Sequence, residues 1–207
     1  MDTITKKTRT RLSPEMRRQQ LLHYSMEVFA KRGIGRAGHA DIAEIANVSV
    51  ATIFNYFPTR DALVEHVLTE VDQKFSLLLD ECLGEKGKTL HARLISISYY
   101  LIDAVLEQQD WIKIWFEWSM SIHDKVWLQF IESNHKNLHK VRDAFEQAIE
   151  NGELSTEQKA DDLARLLLGI CYIIYIQTNL SPNKTELQQK AEVYLNVLGC
   201  NCSNKHT

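Results

Sequence analysis

Apolar residues recur at three- and four-residue spacing along nearly the whole chain, the period of helices with one buried face. Ser13-Pro14-Glu15 reads as a helix start, with a cap, a proline in the first turn and an acid at the positive dipole end. Leu22, Met26 and Phe29 form the core stripe of that helix, with Leu21, Ser25 and Val28 beside it, and Gly33, Gly35 and Gly38 end it. A long helix follows Pro58, capped by Thr59 and reaching about Leu79, with Leu63, Val67, Val71, Phe75 and Leu78 on its apolar side. Further helices are predicted over 90–107 (Leu94, Ile97, Leu101, Val105), 134–150, 161–180 (Leu163, Leu167, Ile170, Ile174) and 185–198 (Leu187, Ala191, Tyr194, Leu198). Residues 84–90 are a hydrophilic break whose glycines lack the spacing of a phosphate-binding loop. Only 3 Pro and 8 Gly interrupt the pattern, so the predicted fold class is all-α.

The most informative stretch is 39–57. Ile42, Ile45 and Ala46 give a short helix one apolar face, and Asn47, which tolerates the left-handed conformation, ends it. Val48 fills the turn, and Ser49 caps a second short helix. Ile53 and Phe57 point inward from that helix, leaving Val50, Ala51, Thr52, Asn55 and Tyr56 outward. Small and hydrogen-bonding residues on the outer face of the second helix fit a helix-turn-helix whose reading helix lies in the DNA major groove. The same pattern also fits an ordinary hairpin in a helical bundle.

Charge shifts the balance towards DNA. The net charge is -3, yet residues 1–60 carry ten Lys and Arg against five acids, while 61–207 carry 14 against 22. A basic front on an acidic body suits a phosphate-binding module joined to a module with other work. Lys6, Lys7, Arg9 and Arg11 lie in a polar arm expected to be disordered when free and suited to an A·T-rich minor groove.

Composition excludes several classes. No run of about 18 apolar residues appears, so no membrane span is expected, and the N-terminus lacks the apolar segment of a signal peptide. The four cysteines, Cys82, Cys171, Cys200 and Cys202, show no framework spacing, which fits a reducing cytoplasm. Neither Cys200 and Cys202 nor the His135 and His139 pair finds the further ligands a metal site needs, so no metal or cofactor is expected. No nucleophile elbow, zinc-protease helix or dinucleotide fingerprint occurs, so the chain does not read as an enzyme.

Within 109–131 lie six aromatics, with Trp111, Trp115 and Trp118 on one helical face beside Phe116, Trp127 and Phe130. Such density means a bulky core or a pocket for an apolar ligand. The helix over 161–180 is apolar around much of its circumference; with the last helix it suggests a two-fold interface between copies.

Residues 38–63 resemble the DNA-binding signature of TetR-type regulators: Ile42-Ala43, Val48-Ser49, Thr52-Ile53-Phe54-Asn55-Tyr56-Phe57, Arg60 and Leu63 match in order. Asn47 and Ala51 depart from it, standing where that family usually or often has Gly. Arg9 to Pro14, Arg32 to Arg36, His39 to Arg60 and Trp115 to Ser119 are similar, more narrowly, to the HapR/LuxR-type quorum-sensing master regulators of vibrios.

The resemblance implies an all-α homodimer with an N-terminal three-helix helix-turn-helix domain and a larger C-terminal regulatory and dimerisation domain. The expected limits are 1–59 for the arm and DNA-binding domain, 60–198 for the helical domain and 199–207 for a disordered tail. It implies a sequence-specific transcription factor that both activates and represses from a pseudo-palindromic operator.

The candidate DNA-contacting residues are Arg9, Arg11, Arg17, His39, Ser49, Val50, Ala51, Thr52, Asn55, Tyr56 and Arg60. Asn55 suits adenine, Val50 and Ala51 a thymine methyl, and Thr52, Tyr56 and Arg60 phosphate. The resemblance also places a small apolar ligand among Phe75, Ile97, Leu101, Trp115, Phe130 and Cys171, oriented by Asn134. Two other readings stand beside this one: a drug- or metabolite-responsive local repressor of the same family, and a helical small-molecule-binding or enzymatic protein whose helix-turn-helix is incidental.

Overall fold

The structure, a computed structural model, describes residues 13–199, and among them every regular element is an α-helix. In order these are α1 (Pro14–Arg32), α2 (His39–Ala46), α3 (Val50–Tyr56), α4 (Arg60–Leu83), α5 (Leu90–Leu106), α6 (Asp110–Ser119), α7 (Asp124–Glu150), α8 (Ala160–Leu180) and α9 (Lys184–Asn196). They form two compact units that divide between Val67 and Leu68, inside α4. The sequence-based limit at residue 59 therefore falls early. The first two turns of α4 belong with α1–α3, because Leu63, Val64 and Val67 are buried there and Phe57 packs against His66 with ring centroids 5.6 Å apart.

In the first unit, α1 starts where its cap dictates: the Ser13 hydroxyl accepts the Met16 N–H at 3.2 Å. Gly33 ends it at φ 84, a conformation an L side chain rarely adopts. The buried face of α1 is Leu21, Ser25, Met26, Val28 and Phe29; Met26 and Phe29 hold the stripe read in the sequence, while Leu22 is only half-buried and Leu21 takes its place.

α2 and α3 are too short to persist alone, and packing holds them. Ile42, Ile53, Phe57 and Leu63 are fully buried, each burial contributing about 1.5–3 kcal/mol. Ile45 is exposed, against expectation; the inner face of α2 is Ile42 with Ala43 and His39. Asn47 sits at φ 50, ψ 52, the left-handed cap its residue type suggested, and lets the Val48 N–H reach the Ala43 carbonyl at 3.0 Å.

In the second unit α8 packs on α5, α7 and α9, and α5 packs on α9 and α6. Trp111, Trp115, Phe116 and Trp118 are all buried, with the Trp118 N–H donated to the Val126 carbonyl at 2.8 Å. The aromatic segment is not one helix face: residues 120–123 break it, and Trp127, on α7, is exposed. Polar clamps join α4 to α7. Asp72 accepts hydrogen bonds from Ser133 and from Asn137, the latter at 3.0 Å, and Lys140 donates to Asp80 at 2.7 Å and Ser76 at 2.6 Å.

α8 has two faces. Leu163, Leu167, Ile170, Cys171 and Ile174 are buried, whereas Leu166, Ile173, Ile176 and Leu180, at steps of seven, three and four residues, form an exposed apolar stripe. By length and composition alone, Ala160–Leu180 is apolar enough to cross a membrane, which corrects the expectation that no such segment exists. Its buried stripe packs on three neighbouring helices, and Asp161, Asp162 and Arg165 charge its first turns, as in the core helix of a helical domain.

Candidate nucleic-acid interface

The second helix of the helix-turn-helix, α3, is set by its cap. The Ser49 hydroxyl accepts the Thr52 N–H at 3.2 Å and lies 2.9 Å from the Thr52 hydroxyl. Ile53 and, at the C-terminal end, Phe57 point into the core. Val50, Ala51, Phe54 and Asn55, spaced i, i+1, i+4 and i+5, form the opposite face and are all exposed. Thr52 and Tyr56 flank that face, half-buried. An amide, two small apolar side chains and an aromatic ring on one exposed strip can meet base edges in the major groove.

Phe54 is the residue that the sequence reading missed. It lies four positions after Val50, on the same face, and that spacing identifies it. It is 45% exposed, with one side of its ring laid flat on His39, centroids 4.1 Å apart and planes 9° from parallel.

Three of the side chains expected at DNA are engaged within the protein. His39 is only 8% exposed, and its Nε2 donates to the Phe57 carbonyl at 2.7 Å. The start of α2 is thereby tied to the end of α3, with the ring turned into the protein. Arg60 is exposed, but its guanidinium donates to the Ile34 carbonyl at 2.5 Å, bracing the turn between α1 and α2. Arg17, half-buried in the first turn of α1, donates to Gln20 at 2.8 Å. Beside it Arg18 lies 2.9 Å from Nε2 of His66 on α4. Burial lowers the His66 pKa below its ordinary value, and the Arg18 charge adds to the effect. Arg9 and Arg11 lie outside the described residues, as do Cys200 and Cys202.

The second unit holds the other candidate site. Phe75, Leu79, Ile97, Asn134, Asn137, Leu138, Val141, Leu167 and Cys171 surround a cavity of about 30 Å³. Of the expected lining residues, Phe75, Ile97, Asn134 and Cys171 are there; Leu101, Trp115 and Phe130 are buried but do not line it. Aromatic mass occupies that space instead: Trp115 stacks on Phe75 at 4.5 Å and edges against Phe130 at 5.8 Å, and Phe116 stacks on Tyr175 at 3.7 Å.

The cavity has room for a water or two, well below the ~300–1,000 Å³ of sites for drug-sized ligands. Asn137, also unforeseen, is 3% exposed, and its side-chain carbonyl has no donor. Burial pushes the Cys171 thiol up to about 12. His135 and His139, with ring centroids 4.3 Å apart, are joined by no third ligand, and no group of three or more metal-binding side chains occurs among the described residues.

Residues 21–67 match the family model for bacterial regulatory proteins of the tetR family. The whole chain is 47% identical, over 208 residues and the full length of both proteins, to the HTH-type transcriptional regulator LuxR of Vibrio harveyi. The chain is a TetR-family transcriptional regulator.

Solved TetR-like structures share the fold. Salmonella enterica GusR superposes with a TM-score of 0.74 at 18% identity, covering 91% of this chain and 97% of that one. The fatty acid degradation regulator FadR from Bacillus halodurans gives 0.73 at 15% identity, covering 96% and 100%. At these identities the likeness concerns fold alone. TetR-family regulators bind DNA and dimerise.

Proposed function

We propose that this TetR-family regulator is a quorum-sensing output regulator that activates some genes and represses others, acting in the cytoplasm as a homodimer on a pseudo-palindromic operator. The observation that carries the DNA-reading part is the exposed strip Val50, Ala51, Phe54 and Asn55 on a helix whose other face is locked into the core. Full-length identity to Vibrio harveyi LuxR supports the physiological part. In this reading Asn55 reads a base, Val50 and Ala51 meet thymine methyls, and Ser49, Thr52, Tyr56, Arg17 and Arg60 hold phosphates. Arg9 and Arg11 enter the minor groove beside the site. His39 stands behind the reading helix rather than at the DNA.

The dimer forms through the exposed stripe of α8 with Val193 and Val197 of α9, apolar surface that a soluble monomer would leave in water. A two-fold pairing buries the same stripe on both copies. The cavity beside Asn137 is the ligand site of this reading, and an apolar ligand carrying one hydrogen-bond donor would satisfy the unpaired carbonyl. Such a ligand has to displace the Phe75–Trp115 pair to enter.

Selection of bound sequences from a randomised duplex library, followed by footprinting on genomic DNA, tests the proposal. A pair of inverted half-sites about one helical turn apart is the expected outcome. Enrichment of a single unpaired half-site would refute the dimeric reading. A drug- or metabolite-responsive local repressor would instead protect only the region beside its own gene.

A further inference from the structure

Phe54 presents a physical problem: a phenyl ring left 45% exposed on a strip otherwise composed of small and polar groups. Its environment limits what it can do. One face is covered by the His39 imidazole at 4.1 Å, nearly parallel. The imidazole cannot turn away, because it is buried and its Nε2 is bonded to the Phe57 carbonyl at 2.7 Å. Phe57 itself is fully buried. The ring is thus held on one side by a chain of fixed groups, on a helix face where Val50, Ala51 and Asn55 are also exposed. A side chain held rigidly by supporting contacts behind it is what a recognition site requires. A phenyl ring offers no hydrogen bond, and the apolar feature of the major groove is the thymine 5-methyl group.

We propose that Phe54 reads a thymine 5-methyl group in the major groove, and that His39 is the positioning residue that fixes its ring. The inference rests on the DNA-reading role of α3 and adds to it a specificity-determining residue and its support. His39 acts through two separable contacts: the stack orients Phe54, and the hydrogen bond secures the fold.

The test uses a high-affinity duplex selected with the full chain, in which each thymine is replaced in turn by deoxyuracil, removing only the methyl. Binding of the wild-type protein should fall about fourfold at one thymine per half-site through Phe54, the effect of one buried methyl-sized group. Phe54→Ala, at an exposed position, should fold normally and become insensitive at that thymine alone. His39→Gln can keep the bond to the Phe57 carbonyl without the ring; it should melt near the wild type yet lose the same sensitivity. His39→Phe keeps the stack without the bond; it should melt lower yet retain the sensitivity.

Uracil sensitivity that persists at the same thymine in Phe54→Ala overturns the reading of the methyl. Full sensitivity in His39→Gln overturns the positioning role. A wild-type protein that enriches a sequence but tolerates uracil everywhere overturns the inference and spares DNA recognition. Failure to enrich any sequence removes the DNA-reading role beneath it.

Discussion

Arg18 and His66, 48 residues apart in the chain, meet at 2.9 Å between guanidinium and imidazole Nε2 and join α1 to α4 within the first unit. The contact needs neutral histidine, since only an unprotonated ring nitrogen accepts the guanidinium N–H. Burial first, and the Arg18 charge second, lower the His66 pKa below 6.5. A depressed pKa of this kind supplies stability that is fully present above the unfolded value. It is lost as pH falls from about 6.5 through the folded value, because the unfolded chain binds the proton more readily. Melting temperature should therefore decline between pH 7 and pH 5, and His66→Gln should flatten that decline. An unchanged slope in the variant would remove His66 from the account.

Variants at Arg60 and Asn55 test the two kinds of DNA contact proposed. Asn55→Ala should change which sequences are preferred, because an amide suited to adenine is lost. Arg60→Ala should weaken specific and random duplexes alike and lower the salt slope by about one. It should also cost about 1 kcal/mol of stability, since the Ile34 carbonyl loses its donor. Binding isotherms on both duplexes at several salt concentrations, with parallel melts, distinguish the two. Identical behaviour of the two variants would refute the division.

Asn47 occupies a left-handed position, φ 50. Asn47→Gly should change stability by no more than a few tenths of a kcal/mol. Asn47→Val should cost about 1–2 kcal/mol, because a β-branched residue clashes in that conformation. Chemical denaturation of the two variants provides the comparison.

The α8 stripe gives a prediction about assembly. Ile173→Glu and Ile176→Glu place charges on surface that is exposed in the single chain. Each should leave helical content intact while shifting the protein from dimer to monomer in sedimentation. Undiminished dimer in both would place the interface elsewhere.

The small cavity predicts that ligands face a closed door. Phe75→Ala removes one half of the stack on Trp115. It should cost about 2 kcal/mol of stability, less than full burial would imply, since Phe75 is only half-buried. It should also tighten the binding of small apolar compounds, read through Trp fluorescence. Weaker binding in a folded variant would show that the ring is part of the site rather than its obstruction. Cys171→Trp, a natural way to block a roomy pocket, would overpack one of about 30 Å³.

The sequence by itself determined most of the helices and many of their ends, though not the bounds of α6 or the start of α7 at Asp124. Capping and breaking are local: Ser13 and Pro14 start α1, Ser49 starts α3, and Asn47 carries its own left-handed turn. It also determined the reading element, because the signature around 42–57 is contiguous and each residue's face follows from the helical period. Tertiary structure decided what depends on partners distant along the chain. His39 became a support because the Phe57 carbonyl, 18 residues away, comes within 2.7 Å of it. Arg60 became a brace because Ile34 does the same from 26 residues away. The division at Val67 arises because the opening turns of α4 bury Leu63 and Val64. Whether six aromatics enclose a pocket or fill it is a matter of ring packing to within an ångström, and periodicity reports only which way a side chain faces, not how much space remains beyond it.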